Sequence, residues 1–222
     1  MISYPWKPFP GSPHHWALAE MRRLPRGPLK LLDVGAGEGH VMRALTASRD
    51  DVHEAWAVEP HWAVEAAPRE RWVADLREVE PEDFDLALAL DVLEHVPDPE
   101  AFLRQVALRI RPGGTLLISV PNVAHWSVRL GLLAGRFEYR ERGILDRTHL
   151  RFFTRRSVLR LIRKAGLEVE QAGAALAPLE LLLPGPVSES RPWELLVQAR
   201  SRLARALPGL FGYQLLVRAR KP

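Results

Sequence analysis

The run Leu31-Leu32-Asp33-Val34-Gly35-Ala36-Gly37-Glu38-Gly39-His40 decides the fold of this chain. An apolar strand over residues 30–34 leads into three glycines at alternate positions, and a helix over 40–47 follows. Without Cβ atoms such a turn lies close against a ligand, and the helix start behind it offers unpaired N–H groups to a negative group. A tight strand–helix turn with no ligand would read the same way, so the loop's neighbours have to separate the two.

Outward from the loop, apolar strands alternate with helices. Residues 55–59 read as a second strand, 72–74 as a short third and 84–90 as a fourth. The fourth, Phe-Asp-Leu-Ala-Leu-Ala-Leu, is apolar enough to be buried on both faces. Residues 99–110 carry helical period, with Phe102, Leu103, Val106 and Ile110 on one side; Gly113-Gly114 ends that helix, and 115–120 is a fifth strand. This order predicts an α/β fold with a parallel sheet, right-handed crossovers and helices on both faces.

The pattern changes beyond Pro121. Residues 123–133 read as helical, and 135–153 as an irregular polar connection too long for a passive loop. Thr154 caps a helix over 155–165 that Gly166 stops; 167–171 is a sixth strand, 178–192 a turn-rich linker, 193–207 an amphipathic helix and 213–219 a last strand. Residues 1–28, with six prolines and four aromatic residues, read as an arm on the main body, helical around residues 15–24.

Acidic residues follow the strand ends. Glu59 closes the second strand about 20 residues after the glycine loop, where a carboxylate accepts both hydroxyl hydrogens of a ribose. Asp75 follows the third strand and Asp91 the fourth. Strand C-termini of an open parallel sheet converge on one crevice, so residues 33, 59, 75 and 91 are expected to edge a single pocket. Such a rim suits a cationic ligand with hydroxyls and repels a pyrophosphate. The dinucleotide fingerprint also wants a third glycine where His40 stands, which argues against a nicotinamide-dependent dehydrogenase.

Asp33-Val34-Gly35-Ala36-Gly37-Glu38-Gly39, Ala57-Val58-Glu59-Pro60, Ala74-Asp75-Leu76, the stretch 84–96 and Leu108-Arg109-Ile110-Arg111-Pro112-Gly113-Gly114-Thr115 resemble, in order, the motifs of class I S-adenosylmethionine-dependent methyltransferases. The subgroup most resembled is the ubiquinone-biosynthesis O-methyltransferases and related small-molecule enzymes. The likeness is dense over 30–121 and thinner through 143–154 and 165–167. It implies a Rossmann-like seven-stranded sheet, mostly parallel, with the last strand antiparallel, over residues 29–222. Segments 122–164 and 178–210 would then be pocket or lid elements. It implies S-adenosylmethionine as cofactor, with Gly35, Ala36, Gly37 and Gly39 along its methionine part and Glu59 and Pro60 at the ribose. Asp75 would meet the adenine amino group with Leu76 beside the ring, and the Leu90 and Asp91 backbone the ammonium or sulfonium side. Asp33 would orient the loop or the ammonium group. Asp75 also reads as a helix cap ahead of Leu76.

Methyl transfer from a sulfonium needs alignment of nucleophile, methyl and sulfur, and an oxygen nucleophile must also lose its proton. His149, close to Asp146 in the irregular connection, would form an Asp–His pair able to set the imidazole tautomer, His95 lies on the cofactor side, and His125 and Trp126 line the acceptor side. A histidine that merely orders the loop through a backbone bond is the plainer reading of His149. No spaced His/carboxylate set stands out, so no metal site is expected.

Charge and composition bound the partners. The net charge of +4 is too weak to name a nucleic acid. The absence of cysteine excludes disulfides, thiolate metal sites and the cysteine route to C5-cytosine methylation. The Asn/Asp-Pro-Pro-aromatic motif of base-amine methylation is absent, since Asp91-Val92-Leu93-Glu94 stands there. Nine arginines against three acids over 136–163 read as a solvated face, or as recognition of an anionic acceptor. The basic amphipathic helix over 193–207 reads as a core or lid element, with peripheral membrane contact as the alternative if the acceptor is lipid-linked. The expected activity is methylation of a small-molecule or sugar-like acceptor, to oxygen. A non-catalytic cofactor-binding partner protein and an RNA or protein methyltransferase are the rivals. The expected location is the cytoplasm, and a homodimer is an open expectation.

Overall fold

The computed structural model describes residues 11–177 and 191–222. The first ten residues of the expected arm, and residues 178–190 of the expected linker, lie outside the described residues. Helix α1 spans Pro13–Met21, capped by Ser12, whose side chain accepts from the His15 N–H, with proline at the first helical position. Then come β1 (Leu29–Val34), α2 (His40–Ser48), β2 (Val52–Val58), β3 (Glu70–Val73) and β4 (Phe84–Leu90). Short 3-10 turns occupy Leu76–Glu78 and Leu93–His95. Helix α3 (Pro99–Arg109), β5 (Ile110–Pro121), α4 (Trp126–Leu133), α5 (Arg155–Lys164) and β6 (Glu168–Ala175) follow. Helices α6 (Arg191–Ala206) and α7 (Pro208–Phe211) precede β7 (Gln214–Arg220).

The seven strands form one sheet in the order β3-β2-β1-β4-β5-β7-β6. Pairs among β1 to β5 are parallel, and β7 runs antiparallel to both β5 and β6. Alternate residues feed two cores, as a strand buried on both faces requires. Leu32, Val34, Ala87, Ala89, Leu116 and Ile118 join Leu103, Val106, Val158 and Ile162 of α3 and α5. Leu31, Leu86, Leu88 and Leu117 join Ala17, Met21, Met42 and Leu45 of α1 and α2.

Several boundaries differ from the sequence expectations. The glycine pair does not end α3: the helix stops at Arg109, and Ile110 already pairs with Phe84. Gly113-Gly114 lies inside β5, tied to the chain after β7 by Gly113 N–H to the Lys221 carbonyl at 2.8 Å. Helix α4 begins at Trp126, because His125 caps it and the preceding residues turn off β5. Residues 191 and 192, expected in the linker, open α6.

Arg49 pins the N-terminal helix to the sheet. Its guanidinium is almost fully buried and donates to the carbonyls of Met21, Leu24 and Pro25 and to the Asp51 carboxylate. Arg49→Ala strands three carbonyls and a carboxylate together, so a loss of about 3 kcal/mol is expected. Thermal unfolding should show it as a fall of roughly 6–12 °C.

Candidate functional site

The C-terminal ends of β1, β2, β4 and β5 open on one side of the sheet, and the glycine turn sits at the first of them. It is tied to the end of β2 by the Gly35 and Ala36 N–H groups, which donate to the Val58 carbonyl at 2.8 and 3.2 Å. Gly39, in the left-handed region, starts α2, and a Cβ there would strike the Trp72 ring at 2.8 Å. Gly37 is also left-handed (φ 54°), but a Cβ there would meet nothing within 4 Å. Gly39 is therefore held by packing, and Gly37 faces open space.

Glu59 stands beside this opening. Its Oε2 accepts from the Gly37 N–H at 3.0 Å and its Oε1 from the His61 N–H at 3.2 Å. Each oxygen keeps a lone pair for a further donor. Pro60 just beyond it is exposed. Asp33 lies buried beneath the turn; burial pushes its carboxyl up to about 7, a hydrogen bond from the Met42 N–H opposes this, and the nearby Glu59 charge adds to it. A carboxyl raised above its unfolded value stabilises the fold fully below about pH 4, and that stabilisation fades as pH rises through 7. Asp33→Asn should therefore flatten the decline in melting temperature between about pH 4 and 7, a decline worth up to about 4 kcal/mol. Melting curves across that range check it.

Asp75 does not project freely into the crevice. Its oxygens are taken by the Arg77 guanidinium at 2.9 and 2.7 Å, and its side chain caps the turn that begins at the buried Leu76. The Arg77 pairing holds this carboxyl down, at about 2. The four carboxylates thus differ: Asp33 is buried, Glu59 lines the opening, Asp75 is paired, and Asp91 is clamped.

Asp91 follows the half-buried Leu90 at the end of β4 and is the one described non-glycine residue with positive φ, 56°. Ser119 Oγ donates to its Oδ1 and Gln214 Nε2 to its Oδ2, both at 2.6 Å, while its N–H donates to the Ser119 carbonyl at 3.0 Å. Three bonds from β5 and from the start of β7 hold this strained backbone.

Next to it lies a cluster whose full membership the sequence did not reveal. Glu94 is buried with both carboxylate oxygens unpartnered among the described residues. Burial, with Asp91 and Asp146 nearby, pushes its carboxyl well above the usual range. Its backbone carbonyl accepts from the N–H groups of Leu150 and Arg151, which brings the 143–154 connection over the site. The His95 and His149 rings meet edge-on with centroids 5.0 Å apart. Glu94, His95 and His149 each offer a ligand atom within 4.8 Å of the others, close enough to pass a proton or to share a cation. The sequence signal for Glu94 is a carboxylate set beside His95 between the apolar residues Val92, Leu93 and Val96.

The expected Asp146–His149 hydrogen bond is not formed. Asp146 Oδ1 accepts from the Thr148 N–H and hydroxyl at 2.8 and 2.7 Å. His149 Nδ1 lies 3.1 Å from the Ile144 carbonyl, so that carbonyl fixes the tautomer, with the proton on Nδ1 and Nε2 left as acceptor. Asp146 acts on the ring only through its charge, and burial keeps the His149 pKa below its ordinary value. His125 is spent on capping α4 through Ser127, and its ring stands edge-on to Tyr213. The nine arginines over 136–163 are all exposed.

A sheet with β7 inserted antiparallel between β5 and β6, and an acid-lined glycine turn at the head of β1, define a Rossmann-like methyltransferase. A family model described as a methyltransferase domain matches residues 15–172. The ubiquinone biosynthesis O-methyltransferase of Cereibacter sphaeroides is 31% identical over 168 residues, covering 70% of this chain and 67% of the relative. That of Xanthomonas euvesicatoria is 29% identical over 166 residues, covering 69% of each. A solved S-adenosylmethionine-dependent methyltransferase from Mesorhizobium loti, 20% identical, shares the fold with a TM-score of 0.59 over 95% of this chain and 99% of that one. The chain belongs to the class I S-adenosylmethionine-dependent methyltransferases, and S-adenosylmethionine is its cofactor. The residues present fit a nucleoside of that kind: the turn faces open space at Gly37, and the Glu59 carboxylate beside it keeps acceptor capacity for hydroxyl donors. No helix among the described residues is long and apolar enough to cross a membrane.

Proposed function

We propose that this methyltransferase moves the methyl group of S-adenosylmethionine to an oxygen of a small acceptor, with His149 taking the proton. The cofactor supplies an electrophilic methyl on a sulfonium, an excellent leaving group. In this reading Glu59 holds the ribose hydroxyls, Gly35, Ala36, Gly37 and Gly39 carry the methionine portion, and Asp33 orients the turn. Leu76 and Pro60 border the adenine, and Leu90 and Asp91 the sulfonium side. Asp75 reaches the adenine amino group only if Arg77 yields. Segment 122–164 forms the acceptor wall.

The observation that carries the proton-transfer part is the bond between His149 Nδ1 and the Ile144 carbonyl. It commits the ring to the tautomer whose Nε2 is basic, and burial keeps that ring neutral near pH 7. His95 packs edge-on against it, and Asp146 steadies a positive charge on it. His149→Ala should cut turnover by about 10²–10⁴-fold while leaving S-adenosylhomocysteine affinity within twofold. Single-turnover methyl transfer and calorimetry measure the two; an unaltered rate removes His149 from the reaction. The acceptor assay itself is transfer of labelled methyl to pooled cell extract, followed by identification of the product.

One surface supports a lipid-linked acceptor, as the relatives' names also would. Trp126, Leu130 and Leu133 lie on the side of α4 opposite the buried Val128, all exposed, with Arg129 alongside. An outward apolar stripe set among arginines suits the face of an anionic bilayer. Helix α6, for which membrane contact was the alternative to a core or lid role, also exposes Leu195, Leu196 and Leu203.

A further inference from the structure

The arginine-rich run 136–163 suggested an anion reader, yet every arginine in it is bathed in solvent. A half-buried guanidinium with one buried arm stands elsewhere. Arg200, on α6, donates from Nη2 to the Ala177 carbonyl at 2.8 Å, just past the end of β6. Its Nη1 is buried and has no hydrogen-bond partner among the described residues. Buried donors in native folds are almost always paired, so a guanidinium arm left this way calls for an acceptor. The cost is larger for a charged group than for a neutral one.

Neighbours place that arm on the acceptor side of the site. Just before Ala177, at the end of β6, the Ala175 carbonyl accepts from the N–H of Tyr213, the residue that leads into β7, at 2.8 Å. The Tyr213 carbonyl in turn accepts from the Asn122 N–H at 3.0 Å, at the corner that leads to His125. The Tyr213 and His125 rings meet edge-on at 5.6 Å, and His125 lies within the electrostatic reach of Arg200. Burial and that positive charge both hold the His125 pKa down, at about 4. The ring is therefore neutral at working pH and does not compete with Arg200 for an anion. Of the acids on this side, Asp91 and Asp146 are satisfied by Ser119, Gln214 and Thr148, and burial drives the unpartnered Glu94 carboxyl toward its neutral form.

We infer that Arg200 is the specificity-determining residue of the acceptor pocket: its unpaired Nη1 arm receives an anionic oxygen, of a carboxylate or a phosphate, carried by the acceptor. The inference rests on reading this side of the crevice as the acceptor side of a methyltransferase. A guanidinium with one arm fixed on a backbone carbonyl is already oriented, so little rotamer freedom is lost when the second arm is filled. A neutral isostere of the anion would leave the arm unpaired, which is the strongest form of discrimination a polar pocket offers.

The test uses small aromatic probes suited to the paired His125 and Tyr213 rings. Benzoate, phenyl phosphate and benzamide are titrated into the S-adenosylhomocysteine-loaded protein and into Arg200→Gln. At least one anion should bind the wild type about tenfold or more tighter than benzamide, and the tighter anion names the source of the oxygen. Arg200→Gln should erase the difference. Equal binding of all three probes, or discrimination that survives Arg200→Gln, overturns the inference. An S-adenosylhomocysteine titration on the same wild-type sample separates the two levels. Protein that discriminates the anions but ignores the nucleoside keeps Arg200 and defeats the methyl-transfer reading, whereas nucleoside binding without discrimination does the reverse.

Discussion

Glu59→Ala is expected to weaken S-adenosylhomocysteine binding by about 100-fold in calorimetry while melting within a few degrees of the wild type. The carboxylate closes β2 at the edge of the opening and is only half-buried, so the sheet does not depend on it. Its bonds to the Gly37 and His61 N–H groups fix its direction before any ligand arrives. Two ribose hydroxyls donating to a fixed anion are charge-assisted bonds, and losing both costs about 3 kcal/mol. At 1.4 kcal/mol per decade that is the 100-fold change. Glu59→Gln, which keeps the shape but not the charge, should fall between the two. Unchanged affinity in Glu59→Ala would falsify the ribose assignment.

Gly37→Val should remove measurable binding altogether. A β-branched residue at φ 54° is strained, and the new side chain would fill the space that the turn leaves open. Strain alone costs about 1–2 kcal/mol, so a control is needed to separate it from obstruction. Gly166, which stops α5 at φ 85° with nothing within 4 Å of a Cβ, provides one away from the glycine turn. Gly166→Val should lose similar stability and bind S-adenosylhomocysteine normally. Binding retained in Gly37→Val would mean that the ligand does not pass over this turn.

The parallel part of the sheet was legible because its signals are local. β1, β2 and β4 are apolar runs, and the glycine cluster marks one strand end without reference to anything distant. The place of β7 was not legible in this way. Its insertion between β5 and β6 depends on pairings such as Leu117 with Arg218 and Ala172 with Val217, which no periodicity announces. The site divides similarly. Glu59 and Gly37 stand where spacing put them. Asp75 follows its strand as expected, but Arg77, two residues on, takes its oxygens, and a sequence does not show which of two adjacent charges will fold back. The Asp146–His149 bond failed because Thr148, between them, offers Asp146 both an N–H and a hydroxyl at shorter range. Arg200 was one arginine among several on an amphipathic helix, and only tertiary packing distinguishes the arm that is buried.

The most direct measurement is a crystal structure of the chain grown with S-adenosylhomocysteine. The expected density lies between the turn at residues 35–39 and Glu59, with the ribose hydroxyls on that carboxylate and the sulfur toward Asp91. A nucleoside seated anywhere else on the molecule, or a ribose with no contact to Glu59, would contradict the assignment on which the catalytic and acceptor readings are built.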